Sequence, residues 1–245
     1  MNKSIFITGG TSGIGKALIN QFAKNNYNIF FTYFTNFKEA KLISKYLESL
    51  NVKHDFVKMD LGEISSINSA FSKFKASFKK FNVFINNASP EIKRKKFLKL
   101  KNKDISKSIN SLLTGNIYAL KNALELALKK KDSSKSIIIN ISSYSAVSGG
   151  RDIHLYAAAK AALNTLTIAL SKDKYKKQTK IISVVPKYID TPAFRKNNKI
   201  KSKKNFTSLK KYKNIKTTSE FAKFIYKKIT NSNNNKKPIV HFHTT

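Results

Sequence analysis

Short apolar runs and amphipathic segments alternate along the whole of this 245-residue chain. The runs consist mainly of β-branched and aromatic residues, which is typical of parallel strands buried on both faces of a sheet. They predict seven strands, at 3–9, 28–33, 55–60, 82–88, 136–142, 180–186 and 237–243.

The segments between these runs have the spacing of amphipathic helices. Between residues 37 and 50, for instance, Ile43, Leu47 and Leu50 recur every three or four positions, so their side chains share one helix face. Further helices are predicted at 63–79, 102–131, 155–175 and 218–230. Strands and helices in alternation predict an α/β fold, a Rossmann-type doubly wound parallel sheet with helices on both faces.

Neither a repeat nor a clear linker divides the chain, and we therefore expect a single domain over residues 1–245. Residues 191–216 stand apart, because ten basic residues and no acidic one occur there without a clear period. This stretch is predicted to be a loop or short-helix excursion that acts as a lid over a substrate.

The chain is strongly basic, with 48 Lys and Arg residues against 13 Asp and Glu residues and a formal net charge of +35. One interpretation is an anionic partner such as nucleic acid. The other is codon drift in an AT-rich genome. We favour drift, because only Arg94, Arg151 and Arg195 carry the guanidinium group that phosphate recognition prefers. No specific nucleic-acid partner is expected.

The absence of cysteine from the sequence excludes disulfides and thiolate sites and fits a reducing compartment. No stretch approaches the roughly 20 apolar residues that a membrane-spanning helix needs. His241 and His243 alternate on the last predicted strand, but two histidines are too few ligands for a metal site. These features predict a cytoplasmic protein with no membrane partner and no metal.

The sequence TGGTSGIG (Thr8–Gly15) follows the first predicted strand and precedes the first amphipathic segment. A glycine-rich turn at this place lets the backbone approach a pyrophosphate, whose negative charge the helix N-terminus stabilises. The alternative is an ordinary glycine-rich turn between a strand and a helix. Its placement favours the phosphate loop of a dinucleotide-binding fold.

Further motifs follow the later strands. They are Asp60–Leu61, Asn86–Ser89, Ile141–Ser143 and Pro186–Pro192, and Tyr156 and Lys160 stand four residues apart. Together with the Gly-x-x-x-Gly-x-Gly spacing of the loop, they resemble the short-chain dehydrogenase/reductase family. The resemblance is greatest to the single-domain branch with 3-oxoacyl-carrier-protein reductases and glucose-dehydrogenase-like proteins.

This resemblance implies an NAD(P)-dependent oxidoreductase that transfers a hydride between the cofactor and a carbonyl or alcohol substrate. The substrate would be a 3-oxoacyl-thioester-like compound, a small ketone or a sugar. The residues that the resemblance places at the cofactor are Gly9, Thr11, Ser12, Gly13, Ile14, Gly15, Tyr33, Thr35, Asp60, Leu61, Asn87, Ala88, Tyr156, Lys160, Pro186, Ile189 and Thr191.

Tyr156 and Lys160 lie one helical turn apart, so their side chains project into the same space. A fixed positive charge beside a phenol is expected to lower its pKa from about 10 and to suit it to proton exchange at neutral pH. Ser143, at the end of the fifth strand, can hold the substrate oxygen. The resemblance makes Tyr156 the proton donor in reduction and Ser143 and Lys160 its catalytic partners.

The sequence after the second strand, TYFTNFK, has no acidic residue before Glu39. An acid there would hold the ribose hydroxyls of NAD and repel the 2′-phosphate of NADP. Thr35, Asn36 and Lys38 are candidates to bind that phosphate, although Ser12 stands where many NADP-binding relatives have arginine. The sequence therefore predicts NADP as the preferred cofactor and NAD as the alternative.

Three departures from the family pattern leave a second interpretation open. Leu112 occupies the place of the family's relay asparagine, and Asn110 is two residues away. Ser89 and Lys187 replace glycines near the cofactor, and the family's usual C-terminal motif is absent. The alternative is a catalytically degenerate nucleotide-binding protein with a regulatory or structural role.

Two partner predictions remain. The basic residues 93–96 lie near the expected cofactor site and could meet an acidic carrier protein or a phosphorylated substrate. Codon drift explains these charges equally well. The family resemblance implies a homodimer or homotetramer, and the missing C-terminal motif leaves the assembly open.

Overall fold

The predicted apolar runs form seven parallel strands of one sheet. A computed structural model describes residues 2–91, 94–129, 134–173, 175, 178–198, 200, 215–231 and 237–242. The strands are β1 (Ser4–Ile7), β2 (Asn28–Tyr33), β3 (His54–Lys58), β4 (Val83–Asn86), β5 (Ser136–Ile141), β6 (Thr179–Pro186) and β9 (Ile239–Phe242). Their order is β3-β2-β1-β4-β5-β6-β9, and every neighbouring pair is parallel.

Helices connect the strands and cover both faces of the sheet, which confirms the predicted doubly wound α/β fold. They are α1 (Gly13–Ala23), α2 (Phe37–Ser49), α3 (Ile64–Phe78), α4 (Asn102–Ile109), α5 (Gly115–Leu128), α6 (Ser145–Ser148), α7 (His154–Lys172), α8 (Pro192–Asn197) and α9 (Thr218–Thr230). From β1 the chain adds β2 and β3 on one side of the sheet and then β4, β5 and β6 on the other, so the direction of strand addition reverses between β1 and β4. In open sheets of this kind, ligands bind at the carboxyl ends of the strands beside that point.

The alternation of side chains along β1 divides the core into two layers. Ile5 and Ile7 belong to the cluster that packs against α1, α2 and α9, and Phe6 belongs to the cluster on the other face. The ring of Phe6 stacks on Phe74 of α3 at 5.0 Å and meets Phe84 of β4 edge-on at 5.2 Å. Both layers are apolar, because a central parallel strand is buried on both faces.

The predicted helix at 102–131 is not continuous. Residues 110–114 form a π-turn between α4 and α5, in which the backbone N–H of Gly115 donates to the carbonyl of Asn110. The chain passes so close to β3 here that a Cβ on Gly115 would overlap the carbonyl oxygen of Leu61. The regular apolar spacing of the segment gave no sign of this π-turn, which shifts the helix against the end of β3.

Part of the predicted lid at 191–216 is helical. β7 (Ile189–Asp190) precedes it, α8 lies at its start, and β8 (Lys216–Thr217), which pairs with β7 in parallel, lies at its end. Residues 201–214 lie outside the described residues, so its role as a lid stays a prediction. Among the described helices, none is long and apolar enough to cross a membrane.

Replacement of Gly115 by alanine tests the close approach at the π-turn. Alanine favours helix by up to about 1 kcal/mol over glycine, but the overlap with Leu61 should outweigh this gain by about 1–3 kcal/mol. Urea unfolding should therefore show a lower free energy of unfolding for Gly115→Ala. Ile117→Ala is the control on the same helix, since this side chain is 37% exposed. An unchanged stability in Gly115→Ala would contradict the described packing.

Candidate active site

The carboxyl ends of β1 and β4 are joined by hydrogen bonds around Thr8 and Asn87. The Thr8 hydroxyl accepts the backbone N–H groups of Asn87 and Ala88, both at 2.9 Å. The Asn87 amide donates to the carbonyls of Thr8 and Gly9 at 2.9 and 3.1 Å and to the Ser12 hydroxyl at 3.3 Å. Asn87 therefore supports the phosphate loop from behind.

The phosphate loop turns sharply out of β1 into α1. Gly9 has a φ of +68°, and a Cβ there would lie 2.9 Å from the Cα of Ala88, so glycine is required on both counts. The Ser12 hydroxyl caps α1 by accepting the N–H of Gly15 at 3.0 Å. Gly13 and Ile14 form the first turn of the helix, whose N-terminus is suited to an anion.

A cavity of about 180 Å³ lies between this loop and the ends of β2 and β3. It includes the predicted residues Gly9, Thr11, Ser12, Tyr33, Thr35, Asp60, Leu61 and Ala88. Ser89, which the sequence placed near the cofactor, also lines it. Its other lining residues, which sequence reasoning missed, are Thr32, Phe34, Met59, Pro90 and Ser111. Most of these missed residues are neighbours of predicted ones at strand ends, whereas Ser111 comes from the π-turn.

Asp60 is held at the edge of this cavity by its own loop. Its carboxylate accepts the N–H of Gly62 at 2.7 Å, and its N–H donates to the Ser66 hydroxyl at 2.9 Å. The amide of Asn110 donates to the carbonyl of Gly62 at 2.9 Å. Asn110 therefore fastens the loop beside the cavity, and it does not take the place of the family's asparagine near Tyr156.

The end of β2 enters α2 through Asn36, whose side chain caps the helix by accepting the N–H of Glu39 at 3.0 Å. Glu39 forms an ion pair with Lys16 of α1. Lys38, in the first turn of α2, is exposed and makes no ion pair among the described residues. Of the predicted phosphate-binding side chains, Thr35 lines the cavity and Lys38 lies just beyond it.

The segment after β6 passes over the phosphate loop. Pro186 ends β6, Ile189 lies in β7, and the Thr191 hydroxyl caps α8 by accepting the N–H of Phe194 at 3.0 Å. A Cβ on Gly13 would lie 3.0 Å from Pro192. Thr191 therefore lies beside the loop, but none of Pro186, Ile189 and Thr191 lines either of the two cavities found near the loop and Tyr156. Their contact with the cofactor stays a prediction.

Ser143 follows the carboxyl end of β5, and Tyr156 and Lys160 lie in the first two turns of α7. The three side chains come together there. The Ser143 hydroxyl is hydrogen-bonded to the phenol of Tyr156 and accepts the N–H of Ser145 at 3.2 Å. The ammonium of Lys160 donates to the carbonyl of Ile141 at 2.8 Å and lies 5.8 Å from the centre of the Tyr156 ring. Lys160 is 3% exposed.

Comparison of the sequence with protein families agrees with this geometry and covers most of the chain. Residues 3–202 match the model of the family described as short chain dehydrogenase. The chain belongs to the short chain dehydrogenase family.

Curated relatives and solved structures resemble this short chain dehydrogenase at low identity. The uncharacterized oxidoreductase YhxC of Bacillus subtilis strain 168 is 28% identical over 190 residues, which are 78% of this chain and 65% of YhxC. The match thus spans less than two thirds of that relative. The 3-oxoacyl-[acyl-carrier-protein] reductase FabG of Chlamydia muridarum is 29% identical over 192 residues, 78% of this chain and 75% of FabG. The structure of ElxO with NADP bound is 29% identical with a TM-score of 0.81, over 98% of this chain and 97% of ElxO.

Burial dominates the protonation of Tyr156 and Lys160. It raises the pKa of Tyr156, and the hydrogen bond from Ser143 only partly opposes the rise. It lowers the pKa of Lys160 to about 8. The expectation that Lys160 lowers the pKa of Tyr156 is therefore wrong for the protein without cofactor, because desolvation disfavours both charged forms.

A second cavity of about 480 Å³ lies beside Tyr156. It is lined in part by the segment 90–100 after β4 and by residues 152–156 at the start of α7, and also by Asp104, Lys107, Ser108, Ser111 and Leu112. These five residues come from α4 and the π-turn.

The residues of this family member fit a nicotinamide dinucleotide. Pro90 and Ser111 line both cavities, so one cleft leads from the phosphate loop to Tyr156. The glycine turn and the N-terminus of α1 suit a pyrophosphate, and the pocket formed by Tyr33, Thr35 and Asp60 suits a nucleoside.

The buried Lys160 should make the stability of the cofactor-free protein depend on pH. Its pKa is about 8 when folded and about 10.4 when unfolded. Between these values the unfolded state binds more protons, so the free energy of unfolding should rise as the pH rises through this window. The gain should reach up to about 3 kcal/mol relative to Lys160→Met. Urea unfolding of both proteins at several pH values measures this gain. The contributions of the other lysines cancel in the difference between the two free energies of unfolding. A difference that stays constant with pH would contradict the burial of the ammonium.

Proposed function

We propose that this chain is an NADP-dependent oxidoreductase that transfers a hydride between the nicotinamide and a carbonyl or alcohol substrate. The observation that carries the proposal is the junction of Ser143, Tyr156 and Lys160 at one end of a cleft that begins at the phosphate loop. The name of the FabG relative favours a 3-oxoacyl-thioester-like substrate. A small ketone or a sugar would use the same chemistry.

The residues of the site suit reduction of a carbonyl near neutral pH. A bound nicotinamide supplies the hydride, and the protein supplies placement and the proton. Tyr156 is protonated at neutral pH because burial raises its pKa, so it can donate its proton to the substrate oxygen. Ser143 is placed to orient that oxygen. Below its pKa of about 8, Lys160 is charged and can stabilise the phenolate that remains.

The second candidate is a nucleotide-binding protein without turnover. It is favoured by Leu112, which provides no side-chain polar group where the family has asparagine. The backbone carbonyl of Leu112 is also engaged, since it accepts the amide of Asn116 at 2.9 Å. Both candidates predict cofactor binding, and only the first predicts catalysis.

The partners of the enzyme are part of the same proposal. The basic stretch at 94–96 lies between the segment before α7 and α4, because Arg94 donates to the carbonyl of Arg151 at 2.9 Å and Lys95 pairs with Asp104 of α4 at 2.7 Å. An acidic carrier protein would meet this stretch beside the larger cavity. A homodimer or homotetramer is the proposed assembly.

Replacement of Tyr156 by phenylalanine should remove the proton donor and keep the packing of the ring. The value of kcat should fall by about 10²–10⁴-fold, whereas the dissociation constant of NADPH should change little. A screen of ketones, 3-oxoacyl thioesters and sugars, followed by the absorbance of NADPH, first identifies a substrate. Tyr144→Phe is the control, because it removes the phenol next to Ser143 in sequence.

Near-wild-type turnover in Tyr156→Phe would contradict the catalytic assignment. Cofactor binding without turnover of any tested compound by the wild type would favour the second candidate. Lys160→Ala should differ from Tyr156→Phe, because it should weaken both turnover and cofactor binding.

The preference for NADP can be tested at Lys38. NADPH should bind more tightly than NADH, and Lys38→Glu should reverse or flatten the preference because a carboxylate repels the 2′-phosphate. Fluorescence titration with both cofactors measures the two dissociation constants. Lys41→Glu makes the same charge change on the exposed side of α2 and should leave the preference unchanged. Equal affinities in the wild type, unaltered by Lys38→Glu, would exclude the role of this residue.

A further inference from the structure

Three polar side chains cross the centre of the sheet in one row. Asn86 of β4 pairs in register with Asn140 of β5, and Asn140 pairs with Ser183 of β6. These residues, which we call the polar row, are at most 2% exposed. Polar groups so deep in an apolar core are costly unless hydrogen bonds satisfy them, so their partners indicate what the row holds.

The partners on one side belong to α7, the helix that carries Tyr156 and Lys160. The amide of Asn140 donates to the hydroxyl of Thr167 at 2.9 Å, and that hydroxyl donates to the carbonyl of Leu163 at 2.7 Å. The hydroxyl of Ser183 donates to the side-chain oxygen of Asn164 at 2.6 Å. Two neighbouring strands therefore hold α7 at two points one turn apart.

The row is also joined to α5. The amide of Asn86 donates to the side-chain oxygen of Asn140 and to the backbone carbonyl of Asn116, both at 3.1 Å. The side chain of Asn116 donates in turn to the carbonyl of Leu112 in the π-turn. A π-turn interrupts the regular helical hydrogen bonds. The side-chain amide of Asn116 adds a hydrogen-bond donor to the carbonyl of Leu112 within this turn.

Besides these links, the ammonium of Lys160 donates to the carbonyl of Ile141 at 2.8 Å, but its long, flexible side chain gives little control over the position of α7 along its axis. The buried residues of the helix near the site include Ala157, Ala159 and Leu163, and contacts between apolar groups have no preferred direction. The hydroxyl of Ser142 reaches the carbonyl of Lys160 only at 3.5 Å. The short hydrogen bonds of Thr167 and Asn164 are directional, and a stiff helix transmits their position to Lys160, seven residues before Thr167.

We propose that the polar row is a positioning device for the proton-transfer pair. It sets where α7 lies along the sheet, and through the helix it sets the distance of Tyr156 from Ser143 and of Lys160 from the carbonyl of Ile141. Its members are positioning residues, since none of them touches the reacting atoms. The consequence for turnover rests on the proposed function, whereas the consequence for the helix does not.

The test replaces both partners of one link by apolar groups of similar shape, in Asn140→Leu/Thr167→Val. Loss of both partners can be nearly neutral for stability. Asn86 also loses its bond to Asn140 but keeps its bond to the carbonyl of Asn116 at 3.1 Å, so the protein should stay folded. The value of kcat should fall about 10–100-fold, because small misplacements of reacting groups have effects of this size. The pH profile of kcat should shift as the distances of Tyr156 from Ser143 and of Lys160 from the carbonyl of Ile141 change. The dissociation constant of NADPH should stay within about twofold, since the phosphate loop is untouched.

Two controls separate positioning from packing. Thr167→Ser keeps the hydroxyl and should retain the wild-type kcat and pH profile, whereas Thr167→Val should show the loss. Asn122→Leu removes the hydrogen bond between Asn122 of α5 and Asn68 of α3, which is 3.0 Å long, and should leave kcat unchanged. If the double variant does not fold, the comparison of kcat and pH profile between Thr167→Val and Thr167→Ser tests the positioning role instead.

Hydrogen exchange at residues 156–164 gives a second measurement that requires no substrate. Exchange should be faster there in the double variant than in the wild type, and it should be unchanged in α1 and α9. If the wild type turns over no compound, the proposed function fails and exchange alone tests the row. Wild-type kcat and pH profile in the folded double variant, or unchanged exchange at 156–164, would overturn the proposal.

Discussion

The site depends on the hydrogen bonds that join Thr8 to the chain after β4. One hydroxyl accepts two successive backbone N–H groups there, and the amide of Asn87 returns bonds to the phosphate loop. The contact fixes Gly9 against Ala88, so the loop has one path into α1. The smaller cavity lies between these two segments, and any shift of one against the other would change its shape. Hydrogen bonds of this kind between side chains and backbone hold the ends of β1 and β4 rigidly together.

Burial gives Tyr156 and Lys160 an electrostatic state that neighbouring charges alone would not produce. With its ammonium on a backbone carbonyl and 3% of its surface exposed, Lys160 has its pKa lowered to about 8. Its positive charge is therefore present near neutral pH and weakens above it. Tyr156 keeps its proton over the same range because burial raises its pKa. An acid that remains protonated beside a cation that can stabilise its conjugate base suits proton donation more than proton abstraction.

Features that repeat locally were predictable from the sequence, and features that depend on long-range register were not. The seven strands follow from near-continuous apolar runs, and helical spacing places Tyr156 and Lys160 on one face, whereas the proximity of Ser143 to Tyr156 was implied only by the family resemblance. The polar row could not be predicted, because Asn86, Asn140 and Ser183 become neighbours only when the register of three strands is known. The raised pKa of Tyr156 depends on burial, which the spacing of two residues does not reveal.

The π-turn shows why a missing motif residue need not mean a missing function. Helical counting places Leu112 where the family has asparagine, yet asparagines stand on both sides of it and both are used. Asn110 donates to the carbonyl of Gly62 at the cofactor cavity, and Asn116 donates to the carbonyl of Leu112 and accepts from Asn86 through its backbone. The turn thus joins the Asp60 loop to the row that holds α7. Both amides lie at the two ends of the turn, where they bond the carbonyls of Gly62 and Leu112, and the irregular hydrogen bonding of a π-turn makes such side-chain donors useful.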